Sequence, residues 1–152
     1  MLRILAVLLL FGLARASDKP PNVLSPEIQH VLDSADSAIL YSLDPNAAPG
    51  NKFHYFRILG KTKLNRDETR EAAHAFDKAI AGFGDEMANC FNARHGLRIV
   101  SAGHIYDYLL CYECDQVEVF IDDKLVADLG AAGSPNVLNH LLREHHLPIA
   151  GN

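Results

Sequence analysis

The sequence predicts an α+β fold: an antiparallel sheet, made of a hairpin plus a three- or four-stranded meander, with about three helices packed on it. Three observations predict it. Apolar residues recur at helical spacing in three separate stretches, each preceded by a helix-starting signal. Aromatic and β-branched runs lie between those stretches. In the second half of the chain such runs follow one another across short turns, which makes a meander, and meanders are antiparallel with helices on one face.

Ser25-Pro26-Glu27 opens the first helix, with Ser as the cap, Pro in the first turn and Glu at the positive end of the dipole. Ile28, Val31, Leu32 and Ala35 give it an apolar stripe, and Asp33-Ser34 and Asp36-Ser37 favour a stop. Residues 38–43 read as a strand ended by Asp44-Pro45, residues 46–52 as a loop carrying Pro49-Gly50, and residues 53–59 as one uninterrupted second strand. Asn65 and Glu68 form a capping box for the second helix. Its stripe is Ala72, Phe76, Ala79, Ile80 and Phe83, and Gly82 and Gly84 end it. Residues 97–100, 105–112, 117–121 and 125–129 are successive strands, with turns at 101–104 and 122–124. Residues 113–116 carry no Gly or Asn, so they read as either a turn or a bulge within one long strand. Ser134-Pro135 repeats the helix-start signal, and Val137, Leu138, Leu141 and Leu142 face the core until Leu147-Pro148 closes the helix.

Residues 1–16 read as a secretory signal peptide: Arg3 supplies the positive start, residues 4–13 the short apolar run, and Ala14-Arg15-Ala16 the small residues before cleavage. Ser17, rather than Cys, follows, so no lipid anchor is expected. Residues 17–24, with Pro20-Pro21, form a flexible N-terminal segment, and residues 25–152 one domain. Cleavage leaves 136 residues, and with Arg3 and Arg15 gone the net charge falls from −5 to −7. The expected destination is the periplasm or the cell exterior, with no membrane association after cleavage. An acidic surface argues against nucleic acid as a partner, because binding it needs clustered Lys and Arg. A chain with 49% hydrophobic and 22% charged residues is not disordered, and 136 residues bury a sufficient core without disulfides.

Familiar catalytic motifs are incomplete. Gly60-Lys61-Thr62 resembles the end of a phosphate-binding loop, but Tyr55 stands where that loop requires its first Gly. Gly82-Phe83-Gly84 closes a helix instead of opening one. One cluster remains: Cys90, Arg94 and His95 in one segment, and Cys111, Glu113 and Cys114 in another. Three readings of the cysteines stay open. A disulfide from Cys90 to either Cys111 or Cys114 would tie the segment after the second helix to the meander. Cys111-x-x-Cys114 could be a redox pair, although its flanks are strand-like and acidic where such pairs favour a helix N-terminus. Cys90, His95, Cys111 and Cys114 have the number and chemistry of a zinc site, although Cys-x-x-x-x-His is a loose spacing. Arg94 suits an anion and His95 proton transfer, with Glu113 as the neighbouring acid.

The segments Cys90-Phe91-Asn92-Ala93-Arg94-His95-Gly96 and Leu110-Cys111-Tyr112-Glu113-Cys114 resemble those of a family of small secreted bacterial proteins. That family carries Cys-Phe-x-Pro-Arg-His-Gly/Ala and then Ile-Cys-Phe-Glu-Cys; here Ala93 replaces the Pro and Tyr112 the Phe. Tyr41-Ser42-Leu43-Asp44-Pro45 and residues 53–60 extend the resemblance over most of the mature chain. The resemblance implies an exported bacterial protein whose Cys90, Arg94, His95, Cys111 and Cys114 act as one unit, and it implies no activity. The expected function is therefore a non-enzymatic binding module, with an unknown protein or small ligand as partner and no required cofactor. The alternative is a thiol-redox or metal-dependent protein using Cys90, His95, Cys111 and Cys114, with zinc as the metal.

Overall fold

The structure, a computed structural model, describes residues 21–46, 49–84 and 86–151. The signal peptide read over residues 1–16 lies outside the described residues. Helix α1 (Pro26–Ser34) starts where the sequence placed it, with Ser25 Oγ accepting from the Ile28 N–H at 3.4 Å. Strand β1 (Ala38–Asp44) follows, then β2 (Lys52–Phe53), β3 (Phe56–Leu64) and helix α2 (Arg66–Ala81). The capping box on α2 is complete: the Glu68 N–H donates to Asn65 Oδ1 at 3.0 Å and the Asn65 N–H to Glu68 Oε2 at 2.8 Å. Residues 82–84 and 86–94 carry no regular structure and precede β4 (His95–Ser101), β5 (His104–Cys111), β6 (Gln116–Ile121), β7 (Lys124–Gly130) and helix α3 (Asn136–Glu144).

All seven strands form one antiparallel sheet in the order β2-β3-β1-β4-β5-β6-β7. The α+β class is as expected, but the sheet is larger. Hairpin and meander are joined by the β1–β4 pair, which brings Leu40 opposite Leu97. Helix α2 carries the chain from β3 back past β1, so β4 docks on the free edge of β1 rather than beside its sequence neighbour.

Two local expectations change, and one open alternative is decided. Residues 53–59 are not one strand: His54-Tyr55 form a two-residue turn, with His54 in the left-handed region at φ 51°. No turn-forming residue marks this place; contacts described below hold His54 there. Residues 112–115 form a turn, and Asp115 takes the left-handed conformation (φ 52°) that an Asn or Gly would otherwise signal. Helix α3 begins at Asn136, where Ser134 Oγ accepts the Asn136 N–H at 3.3 Å.

Strand alternation sorts side chains onto two faces. On one face, Leu40, Leu97, Tyr108 and Val119 form a row across four neighbouring strands and pack under all three helices, with Leu32, Phe76, Leu138 and Leu142 above them. The Tyr108 hydroxyl donates to the Ile28 carbonyl at 3.1 Å, so the largest polar tip in this core is satisfied. On the other face, Tyr41, Leu43, Leu109 and Phe120 form a smaller core with Phe53, Phe56 and Ala93. Among the described residues no helix covers it; the β2–β3 turn folds over it instead. Gly96 lies between Tyr41 and Leu109 in the register, and a Cβ there would stand 2.6 Å from the Phe53 ring. The missing side chain is what lets Phe53 stack on Tyr41, ring centroids 4.1 Å apart.

Of the N-terminal segment, residues 21–24 are anchored. The Asn22 amide donates to the carbonyls of Ile80 and Gly130 and accepts the Gly130 N–H at 2.6 Å, while Leu24 is buried.

Candidate functional site

The Arg94-His95 dipeptide sits where the chain enters β4. Its placement is set by β1: the Arg94 carbonyl accepts the Leu43 N–H at 2.9 Å, and His95 pairs with Ser42 on one side and Leu110 on the other. Alternation then separates the two side chains. His95 points to the helix-covered face, in step with Leu97 and Ile99, and reaches Asn139 of α3 at 2.8 Å from Nε2. Arg94 turns to the end of the sheet, where it donates to Glu113 Oε1 at 2.6 Å and to the Gly151 carbonyl at 2.7 Å. Glu113 is in the β5–β6 turn, so the two segments singled out in the sequence meet here.

Between them lies a cleft of about 300 Å³, lined by Arg94, His95, Tyr112, Glu113 and Asn139, with Asn92, Gly133 and Pro135 at its edge and Ile149 and Ala150 from the C-terminal segment. That segment is tied down along its length: the Ser42 hydroxyl donates to the Pro148 carbonyl, and Leu147 packs against Gly60. Burial drives the His95 pKa down to about 4; the Asn139 bond opposes this and the Arg94 charge adds to it. His95 is therefore neutral at physiological pH. Its Nε2–H donates to Asn139 Oδ1, and among the described residues its buried Nδ1 has no partner. Burial also pushes the Tyr112 hydroxyl up to about 12, so it is a neutral donor or acceptor. The cleft thus presents one cation, already paired, and several neutral hydrogen-bonding groups beside an apolar wall.

Behind the β5–β6 turn lie the cysteines. Cys90 and Cys114 are joined by a disulfide with Cα atoms 5.7 Å apart, one of the two pairings left open by the sequence. Strand β5 ends at Cys111 and the chain turns before Cys114, so the two need not face opposite ways as they would in a continuous strand. Cys111 is an unpaired, buried thiol on the face opposite His95, in step with Asp107 and Leu109. Its sulfur accepts the Cys114 N–H at 3.1 Å. Burial raises the thiol pKa, and the nearby backbone amides pull it back only in part. His95, whose Nε2 is held by Asn139, does not join the sulfurs.

A second polar cluster, absent from the sequence reading, lies on the face without helices. Asp107 of β5 accepts two bonds from the Arg98 guanidinium, at 2.7 and 2.6 Å, and one from His54 Nε2 at 2.8 Å. The His54 ring stacks on Phe120 at 4.0 Å. Burial alone would raise the Asp107 carboxyl, but Arg98 and His54 hold it below its ordinary value. Potential ligand atoms of His54, Asp107 and Asp123 lie within 4.8 Å of one another. Arg98 occupies both oxygens of Asp107, so the cluster is closed as an ion pair and repels a cation. The only sequence signal for it was the aromatic run Phe53-His54-Tyr55-Phe56; Arg98 and Asp107 are paired by register alone. Asn139 likewise gave no signal, being one polar residue beside an apolar helical stripe.

No protein-family model, curated protein or solved structure matches this chain. Among the described residues no helix is long and apolar enough to cross a membrane.

Proposed function

We propose that the protein is an exported, non-enzymatic binding module that holds a small polar ligand in the cleft between Arg94, His95, Tyr112, Glu113 and Asn139. One observation carries this reading: a cleft of about 300 Å³ in which a buried, neutral histidine with one unpartnered nitrogen adjoins an ion-paired arginine. A buried polar atom without a partner is costly, and a ligand donor that reached it would remove that cost. No Ser, Thr, Cys or Lys lies among the lining residues, and the His95 pKa near 4 is poorly matched to proton transfer at neutral pH. Export is supported by the Cys90–Cys114 disulfide, which suits an oxidising compartment.

The test is a set of two-dimensional NMR titrations with hydroxylated small molecules, neutral and carboxylate-bearing, against the mature protein. Binding at the cleft moves the Arg94, His95 and Asn139 amide signals together, and Arg94→Ala and Asn139→Ala weaken it. Shifts confined to another surface, or a panel that leaves these amides unmoved, overturn the reading.

A further inference from the structure

The cleft beside Arg94 and His95 sorts its polar groups by depth. His95 is buried, and Asn139, bonded to it at 2.8 Å, is half-buried. Arg94 is mostly buried, while Glu113 in the β5–β6 turn keeps nearly half of its side chain in solvent. Neutral groups therefore lie inside, and the two charges lie towards the mouth, joined at 2.6 Å. The His95 Nδ1 is buried without a hydrogen-bond partner among the described residues, so the inner part of the cleft holds a polar atom still to be satisfied. The charges at the mouth decide what else a ligand must carry. A plain anion that takes Arg94 displaces Glu113 and leaves that carboxylate without its cation. A plain cation that takes Glu113 leaves the mostly buried guanidinium without its carboxylate. Either exchange strands one member of a partly desolvated pair, which is the unfavourable way to break it. A ligand bearing both charges side by side makes good both losses.

We propose that the ligand of this cleft is a free α-amino acid, held as a zwitterion by Arg94 and Glu113, with a hydrogen-bond donor on its side chain for His95 Nδ1. The proposal rests on the reading of the cleft as a small-ligand site and narrows it to one chemical class. The ligand carboxylate accepts from the Arg94 guanidinium in a charge-assisted bond. Its ammonium donates to the Glu113 carboxylate, and the Gly151 carbonyl, already an acceptor for Arg94 at 2.7 Å, offers a second lone pair. Glu113 sits in an exposed turn and can swing aside to admit the ligand, while the Gly151 bond keeps Arg94 in place. An α-carbon holds ammonium and carboxylate on neighbouring atoms, which is the spacing that inserts into a single opened ion pair. Charges at the two ends of a peptide lie too far apart to do so. The side chain then points inward past Tyr112 towards His95 and Asn139, where a hydroxyl or a primary amide supplies the missing donor. A third charge there would find no counter-ion, because the inner groups are neutral, so acidic and basic side chains are disfavoured. A cleft of about 300 Å³ has room for side chains such as those of threonine and glutamine, and Ile149 and Ala150 supply an apolar wall for their methyl and methylene groups.

The experiment titrates the mature, disulfide-intact protein with L-threonine and L-glutamine, each beside its deaminated and its decarboxylated analogue, and follows the amide signals. The analogues are smaller than their parents, so a lower affinity reports a lost charge and not a clash. At least one of the two amino acids should move the Arg94, His95 and Asn139 signals together and bind roughly 10-fold or more tighter than either of its analogues. On binding, the His95 Nδ1 signal in imidazole nitrogen spectra should move to that of a hydrogen-bonded nitrogen. Glu113→Gln should bring the amino acid down to the affinity of its deaminated analogue, and Arg94→Gln to that of its decarboxylated analogue. If Arg94→Gln does not fold, Glu113→Gln, altered at an exposed turn, decides the matter alone. Analogues that occupy the cleft as tightly as their parents overturn the zwitterion assignment and leave the cleft a ligand site. The same holds if both amino acids leave the cleft unmoved while another hydroxylated molecule occupies it. An Nδ1 signal unmoved by a bound amino acid overturns the inner contact, and a cleft that no molecule occupies overturns both readings.

Discussion

On the helix-covered face of the sheet, the buried polar groups are neutral: the Tyr108 hydroxyl reaches the Ile28 carbonyl, and His95 leans on Asn139 at the strand end. On the opposite face an ion pair lies among aromatics: Arg98 and Asp107 occupy facing positions on β4 and β5, with the Phe53 ring 5.2 Å from the guanidinium and His54 closing over the carboxylate. The difference follows from what covers each face. Three amphipathic helices exclude water from the first, and there a charge would be left without a partner. Among the described residues the second is covered only by a two-residue turn and the segment through Ala93, so a charge can remain partly hydrated at Arg98 while its partner is buried. Hydrophobic area holds the first face together; directional bonds hold the cover on the second.

Four measurements would break or sharpen that contrast. The largest effect is expected from Phe76→Ala, which opens a cavity in the fully covered core and should cost about 3–5 kcal/mol in denaturant unfolding. A loss below about 1 kcal/mol would mean that the helices are not the main source of stability. Next is Asp107→Asn, which leaves Arg98 and His54 facing a neutral amide. The expected cost is at the low end of the roughly 3–5 kcal/mol for breaking a buried pair. Hydrogen exchange should place the change in the β2–β3 turn, with the α2 amides little affected.

The third is pH dependence, for which the two faces have separate windows. His95 has a folded pKa of about 4 against 6.5 unfolded, so below pH 6.5 the unfolded chain binds a proton that the native state refuses. Stability should fall from pH 6.5 down to about 4 by roughly 3 kcal/mol, and His95→Gln should flatten that slope. Asp107 has a folded pKa below its ordinary 3.8, so its contribution is intact above that value and is lost only as pH falls further. An unfolding curve that stays level between pH 6.5 and 4 in the unaltered protein would contradict the burial of His95. The smallest effect is that of Gly96→Ala. The new methyl meets the Phe53 ring, so the β2–β3 turn must lift, at about 1–3 kcal/mol. Fluorescence or exchange at Tyr55 should report the lifting, and a neutral substitution would mean that Phe53 is not seated on Gly96.

The elements most legible in the sequence were those with local chemistry. Ser25, Asn65 and Glu68 make the cap contacts that their spacing implies, and the turns at 101–104 and 122–124 are where charged and small residues interrupt apolar runs. Cys90 near Cys114 was legible because the meander returns past the segment after α2. Illegible was the turn at His54-Tyr55. A histidine carries no turn signal, and its left-handed backbone is held by Asp107, Arg98 and Phe120, which are 44 or more positions away in the chain.

What the sequence by itself determined is therefore the class of fold, the starts of α1 and α2, and the meander. Each of these depends on contacts between residues a few positions apart, or on a period that one face of one element displays. Only the tertiary structure decided that β4 joins β1 to make one seven-stranded sheet, that Cys90 takes Cys114 and leaves Cys111, and that Arg94 bonds Glu113 while His95 bonds Asn139. The physical reason is the same in all three cases. The competing arrangements satisfy local propensity equally well, and they differ only in which distant surfaces they bury against each other.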